Sequence, residues 1–407
     1  MRVLIATPYY PPDQGPIPMM YGGLAQDLGL LGEQVTVIAA QPHYGQAPAR
    51  ARRVSPLISD TWEHGVRVVR TLVPVPARAS RVQRLLTVTA YNALAAWALL
   101  QEQPYDAALI TNPAMEVAGP AWLLSRLRLA PWLFRVHDLY PDIAARLGVV
   151  TRPLVIRALG RMENACYRQS SGVIVVTDRF RQALIERGVQ PSKVTVLPDW
   201  EDTDRIRPLP RDNDLRRRLG LVGRFVVLYG GNIGRSQGLE TLLAAASRLS
   251  GNQSIHFLIV GEGACRAALQ KSVESRKLAN ITILPYQPIE LIPYVYAAAD
   301  AGIVMLKPRV SPEWIPAKTY SIMASGRPVV AAVDRNGACW ELVSRLGCGI
   351  CVDAGDASSL AAALADLSGD HPWQQRLGDA GRAYAVEYAS RSVAAVTIHN
   401  LLRAIAR

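Results

Sequence analysis

Cysteine is scarce in this chain of 407 residues, and the few thiols present do not indicate disulfides. The five cysteines are Cys166, Cys265, Cys339, Cys348 and Cys351. Five thiols cannot all pair, and a chain of this length folds without disulfides, so we expect reduced thiols and a cytoplasmic protein. Cys348 and Cys351 have C-x-x-C spacing, but neither a second pair nor a histidine cluster accompanies them, which argues against a metal or redox site.

The chain also lacks a signal-peptide pattern and an apolar run of full bilayer length. Arg2 is followed at once by Val3–Ala6, which has the character of a buried strand and not of a signal peptide. The long uncharged stretch Leu85–Gln101 contains Thr87 and Asn92 and is short for a membrane span. We therefore expect a buried or interfacial helix there.

Acidic residues are in deficit. Asp and Glu total 33 against 45 Lys and Arg, which gives a formal net charge of +12. This balance favours an anionic partner, such as a phosphate ligand, anionic lipid or nucleic acid, although GC-rich coding explains an arginine excess equally well. A hydrophobic fraction of 50% and a charged fraction of 19% exclude a disordered chain.

Short apolar runs alternate with helical patterns, and this alternation occurs twice. Val3–Ala6 begins the first series and Phe225–Gly231 begins the second. Such alternation predicts an α/β protein with two doubly wound domains built on parallel sheets. The acidic, proline-rich stretch 198–224 predicts an exposed connection. The predicted domains are residues 1–200 and 201–385, with a last helix, 386–407, that packs back on the first domain.

Glycines crowd the turn that follows the strand at Phe225. Gly230, Gly231, Gly234 and Gly238 lie between this strand and the next helix, and Arg235 lies among them. Glycines let backbone N–H groups approach a ligand, and the N-terminus of a helix favours phosphate. An ordinary tight βα turn is the alternative. The glycines together with the arginine predict a phosphate-binding loop.

A second segment, Glu313–Val330, combines a carboxylate, a helix and the next strand. Lys318 falls in the first turn of the predicted helix, where the helix dipole is already positive. A bound diphosphate would offset the repulsion between the lysine and the positive end of the helix dipole. Otherwise Lys318 is a solvated side chain.

Several motifs carry a resemblance that covers nearly the whole chain. They are Pro8–Pro12 with Gly15, Leu24–Val37, His137–Asp142, Leu197–Trp200, Gly231–Gly238 and Ala317–Val330. The chain resembles the family 4 glycosyltransferases of GT-B fold, and within them the bacterial subgroup of colanic-acid-type fucosyltransferases and of O-antigen and capsule amino-sugar transferases. The resemblance implies two Rossmann-like domains facing across a cleft. It also implies a nucleotide-sugar donor held mainly by the second domain.

The resemblance also implies donor-site roles. The implied donor-binding residues are Gly231, Asn232, Gly234, Arg235, Gln237, Trp314, Ile315, Pro316, Lys318 and Ser321. Glu313 falls on the family carboxylate that binds the donor sugar hydroxyls and is predicted to be catalytic. Ser321 falls on the family carboxylate that holds the ribose, and its single hydroxyl alters that recognition. Uncharged Asn232 and Gln237 fall on the family's diphosphate-binding cations, so Arg235 and Lys318 are predicted to replace them.

On the first domain, the resemblance places His137 close to the reacting sugar and predicts a catalytic role for it. Tyr10, Gly15 and Asp138 are predicted on the acceptor side. Members of this family retain the anomeric configuration, with the leaving diphosphate helping to take the acceptor's proton. Such a reaction needs no metal or other cofactor, and Asp202-Thr203-Asp204, which has the spacing of a metal-binding pair, is predicted to be a solvated turn.

The window Arg50–Arg84 is strongly basic. It holds eight arginines against Asp60 and Glu63 and precedes the apolar helix at Leu85. A second basic stretch comprises Arg152, Arg157, Arg161 and Arg168. A basic segment beside an apolar helix predicts peripheral contact with an anionic membrane, and the alternative is a solvated surface over a core helix.

Together these features predict a retaining, metal-independent glycosyltransferase of bacterial surface-polysaccharide biosynthesis at the inner face of the cytoplasmic membrane. The predicted donor is a UDP- or GDP-sugar, and the predicted acceptor is a polyprenyl-diphosphate-linked saccharide. One alternative is a sugar-nucleotide 2-epimerase of the same fold. Another is a non-catalytic nucleic-acid-binding protein, for which no sequence motif speaks.

Overall fold

The chain divides into two units, and the final helix returns to the first. The computed structural model describes residues 1–43, 56–74, 81–101, 104–111, 113–127, 129–146, 148, 150–310 and 312–406, without the side chains at 81, 82, 84 and 85. Unit 1 comprises residues 1–198 and 391–407, and unit 2 comprises residues 199–390. The predicted divisions at 200 and 385 lie within five residues of these limits. Within the described part of the chain, no helix combines the length and apolar character needed to cross a bilayer.

Unit 1 is built on an eight-stranded sheet with the order β3-β4-β2-β1-β5-β6-β7-β8. Its strands are β1 Arg2–Ala6, β2 Gln34–Ala40, β3 Ile58–Glu63, β4 Val66–Thr71, β5 Ala107–Thr111, β6 Trp132–Val136, β7 Gly172–Val175 and β8 Val194–Val196. All pairs are parallel except β3–β4, a hairpin whose two-residue turn has φ 52° at His64 and φ 80° at Gly65. This antiparallel edge strand was not predicted, because its sequence is half polar and partly exposed.

Unit 2 is built on a six-stranded, all-parallel sheet with the order β11-β10-β9-β12-β13-β14. Its strands are β9 Phe225–Gly230, β10 Ile255–Val260, β11 Ile281–Leu284, β12 Ala301–Met305, β13 Val329–Val333 and β14 Gly349–Asp353. The order reverses direction between β9 and β12. In such sheets ligands bind at the carboxyl ends of the strands next to the reversal.

Helices cover the sheets of both units. They are α1 Pro16–Leu30, α2 Arg81–Leu100, α3 Ala114–Arg126, α4 Asp142–Arg146, α5 Pro153–Gln169, α6 Asp178–Glu186, α7 Asp214–Arg218, α8 Leu239–Arg248, α9 Arg266–Ser275, α10 Ile292–Ala297, α11 Lys318–Ala324, α12 Ala338–Leu346, α13 Ala357–Ser368, α14 His371–Tyr388 and α15 Arg391–Ile405. In unit 2, Val227 and Tyr229 belong to the core on one face of the sheet, and Val226 and Leu228 to the core on the other. Burial on both faces explains why the strands are nearly continuous apolar runs, and the predicted α/β class with two parallel sheets is confirmed.

Helix α15 belongs to unit 1, where it packs against α1 and β5. Arg391 forms a two-pronged ion pair with Asp27, with N–O distances of 2.6 and 2.7 Å. His399 contacts the fully buried side chain of Glu33 at 2.6 Å, and Arg403 lies 3.2 Å from the same carboxylate oxygen. The last helix is therefore attached to unit 1 by charged as well as apolar contacts.

Candidate functional site

The segment Gly231–Gly238 joins β9 to α8 at the carboxyl end of the unit 2 sheet. The Gly231 N–H donates to the Val260 carbonyl at 2.9 Å. A Cβ atom at Gly261 would lie only 1.8 Å from the Gly231 carbonyl oxygen, so the two backbone segments cross where only glycine fits. Gly238, with φ 62°, is the residue from which α8 begins. The structure thus contains the predicted order of strand, glycine-rich turn and helix.

Lys318, the first residue of α11, lies against this turn. Its Nζ donates a hydrogen bond to Gln237 Oε1 at 2.8 Å and lies 3.9 Å from the centre of the Tyr229 ring. The Tyr229 hydroxyl donates to the Asn232 carbonyl at 2.6 Å and also lies 3.1 Å from the same Gln237 oxygen. Burial lowers the pKa of Lys318 to about 7. We call Tyr229, Gln237 and Lys318 the unit 2 cluster.

The other predicted phosphate ligands of this turn are arranged differently. Asn232 and Arg235 are exposed, and Gly234 is partly buried. Arg235 forms no hydrogen bond or ion pair with another described residue, so its guanidinium is available to a ligand. The structure therefore brings Gly231, Gln237 and Lys318 together, and it leaves Arg235 at the surface of the same turn.

Ser321 lies one helical turn after Lys318, and its hydroxyl donates to Glu201 Oε2 at 2.5 Å. Burial raises the pKa of Glu201. The sequence analysis placed Glu201 in an exposed connection, whereas the structure has Glu201 partly buried and Asp199 and Thr203 buried. Within Asp202-Thr203-Asp204, Asp202 is partly buried, Thr203 is buried and Asp204 is exposed. The acidic and proline-rich sequence suggested exposure, whereas the first turn of this connection packs into unit 2.

The loop before α11 holds the remaining predicted donor residues. Ile315 and Pro316 are buried, whereas Glu313 and Trp314 are partly buried. The loop is fixed at its start, where the Ala338 N–H donates to the Pro312 carbonyl at 2.7 Å. Glu313 thus lies on a segment anchored to α12 at one end and continuous with α11 at the other.

In unit 1, His137 immediately follows β6 and is 7% exposed. Its Nε2 lies 2.8 Å from the Tyr21 hydroxyl, and the two rings meet edge to face. A tyrosine on α1 therefore fixes the orientation of this imidazole. Sequence reasoning found His137 but not its partner, which is 116 residues away.

The predicted acceptor-side residues occupy two loops of unit 1, one before α1 and one after β6. Tyr10 is buried beneath the Arg70 guanidinium, and its pKa is raised to about 12, chiefly by burial. Gly15, with φ 135°, precedes α1, where a residue with a side chain would be strained. Asp138 follows His137 and is partly buried.

A carboxylate that the sequence analysis missed lies near Asp138. Glu116, in the first turn of α3, accepts a hydrogen bond from the Tyr9 hydroxyl at 3.3 Å, while its other carboxyl oxygen is buried without a hydrogen-bond partner. Burial, and secondarily Asp138, raise the pKa of Glu116 to about 7. With His43, which stacks on Tyr9, it lines a small pocket with a volume of about 30 Å³. We call Tyr9, His43 and Glu116 the unit 1 pocket.

Among the residues that the structure describes, no three His, Cys, Asp or Glu side chains are grouped so as to hold a metal ion. Cys348 and Cys351, with their C-x-x-C spacing, are free thiols whose pKa values are raised by burial, to about 12 for Cys348.

Two parallel α/β sheets, with a glycine-rich turn at the reversal of the second, define a two-domain α/β protein of GT-B architecture. Residues 20–200 match the family described as Glycosyl transferase 4-like domain. Residues 212–384 match the family described as Glycosyl transferases group 1. The chain belongs to the family 4 glycosyltransferases of GT-B fold, and the resemblance noted in the sequence is confirmed.

Known proteins resemble the chain over most of its length. WcaI of Escherichia coli strain K12, whose name provisionally assigns it as a glycosyl transferase of colanic acid biosynthesis, is 26% identical over 373 residues, or 89% of this chain and 91% of WcaI. Sucrose-phosphate synthase of Thermosynechococcus elongatus has a TM-score of 0.78 and 20% identity, covering 99% of this chain and 98% of its own. Anabaena HepE, solved with UDP and glucose, has a TM-score of 0.74 and 18% identity, covering 99% of each chain. The structural likenesses show the fold.

Proposed function

We propose that the chain is a retaining glycosyltransferase that transfers a sugar from a nucleoside diphosphate sugar to a lipid-linked saccharide of a bacterial surface polysaccharide. Family membership supports the transfer reaction. The likeness to WcaI supports the polysaccharide pathway, and the structural neighbour that holds UDP and glucose supports the donor class. Both family matches describe glycosyl transferases, which speaks against the epimerase and the nucleic-acid-binding alternatives.

The main observation in support of this proposal is that the contacts of Lys318 do not neutralise its charge. Its ammonium contacts an amide oxygen and an aromatic ring, and neither contact neutralises it. Among the described residues, no carboxylate forms an ion pair with it. Burial disfavours the charged form of Lys318. We infer that an anion binds next to the lysine, because an anion there would favour the protonated amine. A diphosphate supplies that anion, and the adjacent glycine-rich turn supplies backbone N–H donors.

The proposed chemistry follows from this arrangement. Glu313 binds hydroxyls of the donor sugar, and Lys318 and Arg235 stabilise the charge that develops on the leaving diphosphate. The acceptor attacks from the face that the diphosphate leaves, and the diphosphate helps to take its proton. We assign a catalytic role to His137, which Tyr21 orients, because the family resemblance implies one. In this proposal the two cations do the work that a divalent metal does elsewhere, so no cofactor takes part.

Thermal unfolding with UDP, GDP and ADP tests the donor class. A ligand that binds only the folded state raises Tm by mass action, and we expect UDP or GDP to do so. The Lys318→Met variant should lose most of this increase. Lys307→Met is the matched control. Lys307 lies in the loop after β12, is half-exposed and pairs with Glu240 of α8. If none of the three nucleotides raises the Tm of the parent protein, the proposed donor class is wrong.

A lipid-linked acceptor fits the surface formed by α2, α3 and α5, in which α3 packs against both other helices. Large apolar side chains are exposed there: Trp97 by 45%, Trp122 by 59% and Leu154 by 76%. Helix α5 and its N-cap also expose Arg152, Arg157, Arg161 and Arg168. Exposed tryptophan and leucine next to arginine favour the surface of an anionic membrane. We call this surface the α2–α3–α5 face.

Two arginines of the basic window that first suggested membrane contact form ion pairs within unit 1. Of its arginines, Arg67 lies 2.6 Å from Asp60 and Arg70 lies 2.9 Å from Glu63, so both charges are compensated within the β3–β4 hairpin. The other six arginines of the window fall outside the described side chains: Arg50, Arg52, Arg53, Arg78, Arg81 and Arg84. The proposal therefore rests on the α2–α3–α5 face.

A further inference from the structure

Glu201 presents a carboxylate that the proposed chemistry does not use. Its backbone N–H donates to the Ala389 carbonyl at 2.9 Å, so the residue is fixed to the segment that follows α14. Its Oε1 accepts a hydrogen bond from the Asp202 N–H at 2.9 Å, and its Oε2 accepts one from the Ser321 hydroxyl. Each carboxylate oxygen can accept two hydrogen bonds. The side chain is 16% exposed, so a ligand can reach it.

The location of this carboxylate relates it to the unit 2 cluster. Ser321 follows Lys318 by three residues on α11, and residues so spaced lie on one face of a helix, about 5–6 Å apart at Cβ. The Tyr296 hydroxyl, whose pKa is raised by burial and also by Glu201, is 3.3 Å from the Cβ position of Gly230. Glu201 therefore lies beside the end of β9, one helical turn from the lysine.

A nucleoside diphosphate is long enough to contact both Lys318 and Glu201. With its diphosphate at Lys318, its ribose lies next along the molecule and presents two vicinal hydroxyl groups, both hydrogen-bond donors. An ionised carboxylate is the side chain suited to accept from both, and acidic residues bind ribose hydroxyls in this way in other doubly wound folds. Burial raises the pKa of Glu201, whereas the hydrogen bonds from Ser321 and Asp202 and the Arg205 guanidinium, 3.7 Å from Oε1, favour the ionised form.

We propose that Glu201 binds the ribose hydroxyls of the donor nucleotide and that Ser321 holds its carboxylate in position. This inference rests on the proposed function, because it assumes a nucleoside diphosphate in unit 2. It transfers ribose recognition from the α11 residue, where the sequence analysis looked for it, to a residue 120 positions earlier in the chain.

The test compares affinities of the purified full-length chain for UDP and GDP with those for their 2′-deoxy and 3′-deoxy forms. Inorganic pyrophosphate is a probe without ribose. The parent should prefer the ribonucleotide by about 10- to 100-fold, as expected for hydrogen bonds to a charged group. Glu201→Gln should lose most of this preference, and Ser321→Ala should lose a smaller part. Affinity for pyrophosphate should stay unchanged in both variants, which shows that they fold.

Two further variants separate binding from a structural role. Asp204→Asn removes an exposed carboxylate of the same segment and should keep the ribose preference. Glu201→Ala combined with Ser321→Glu moves the carboxylate onto α11 and should recover it. The inference is overturned if Glu201→Gln keeps the preference, if Asp204→Asn loses it equally, or if the double variant recovers none. If the parent binds neither nucleotides nor pyrophosphate, the proposed function fails and this inference with it. If the parent binds nucleotides without ribose preference, only the inference fails.

Discussion

The unit 2 cluster and the unit 1 pocket contain opposite charges under the same physical constraint. In the first, burial lowers the pKa of an amine to about 7, and in the second, burial raises the pKa of a carboxyl group to about 7. Lys318 has neutral partners that leave its charge available, whereas Glu116 retains a buried oxygen without a partner. The comparison suggests that unit 2 is built to receive an anion. In unit 1 it is instead one oxygen of the Glu116 carboxyl group that lacks a hydrogen-bond partner.

The largest expected effect concerns Glu313, which we assign to the sugar and not to the nucleotide. Glu313→Gln should retain nucleotide affinity and lower kcat by about 100-fold or more, because it removes a charge that acts on the transition state. Calorimetry and turnover assays measure the two quantities separately, with the exposed Glu290→Gln as control. If the variant loses nucleotide affinity but keeps a normal kcat at saturation, Glu313 contacts the nucleotide and not the sugar, and the assignment is wrong.

The next effect tests the anion site of unit 2. Lys318→Met should weaken nucleoside diphosphate binding by about 10- to 100-fold and leave nucleoside binding unchanged. It should also raise the Tm of the empty protein, because a buried amine is replaced by an apolar chain. Arg235→Ala should have the same selectivity with a smaller effect, since Arg235 is exposed. Equal diphosphate affinity in both variants and the parent would disprove the assignment.

The pH dependence of donor binding follows from the same lysine. Above about pH 7 Lys318 is neutral in the free protein, so its amine must take up a proton when a diphosphate binds. Affinity for a nucleotide sugar, whose diphosphate has no titrating terminal oxygen, should therefore fall by up to about tenfold per pH unit above pH 7. Lys318→Met should abolish this slope, and a slope that persists in the variant belongs to another group.

The α2–α3–α5 face of unit 1 gives an intermediate effect. Replacing Trp97, Trp122 and Leu154 together by Ser should weaken binding to anionic liposomes by about tenfold or more, since buried apolar area drives such contact. Trp62→Ser is the matched control, because Trp62 is 74% exposed on the edge strand β3. Raising the salt concentration should weaken binding of the parent. If the triple variant and the control bind alike, the face is an ordinary solvated surface.

Glu116 predicts a smaller effect, on the stability of unit 1. Its folded pKa lies above its unfolded value, so the folded state holds more protons and the stability of unit 1 falls as pH rises from about 4.5 to about 7. Relative to the parent, Glu116→Gln should therefore gain about 1–3 kcal/mol above pH 7 and nothing near pH 4. Thermal unfolding at both pH values measures this difference. An equal gain at both would show a packing effect and not a titration.

The smallest expected effect is that of chelation, which should leave transfer unchanged. Lys318 and Arg235 neutralise the leaving diphosphate in our proposal, so EDTA removes nothing that the reaction needs. Initial rates with and without EDTA, for the parent and for Lys318→Met, measure this directly. A rate that disappears with EDTA and returns with magnesium would contradict the proposal.

The predictable parts of the molecule were those with a local sequence signal. Buried parallel strands are apolar runs, and a glycine-rich turn and a lysine at the start of a helix are visible within a few residues. Glu201 was misplaced because its partner Ser321 is 120 residues away and because neighbouring charges suggested exposure. Glu116 was missed because a single carboxylate in a helix has no pattern. Only tertiary contacts reveal that its oxygen is buried.

The return of α15 to unit 1 has a consequence for the order of folding during synthesis. Residues 199–390 leave the ribosome as one continuous piece, so unit 2 can fold as soon as it is made. Unit 1 must wait for the last residues, although its sheet is synthesised first. Until α15 arrives, the buried Glu33 lacks His399 and Arg403, two of its ionic partners. Truncation near the end of the chain should therefore damage the half of the protein that is made first.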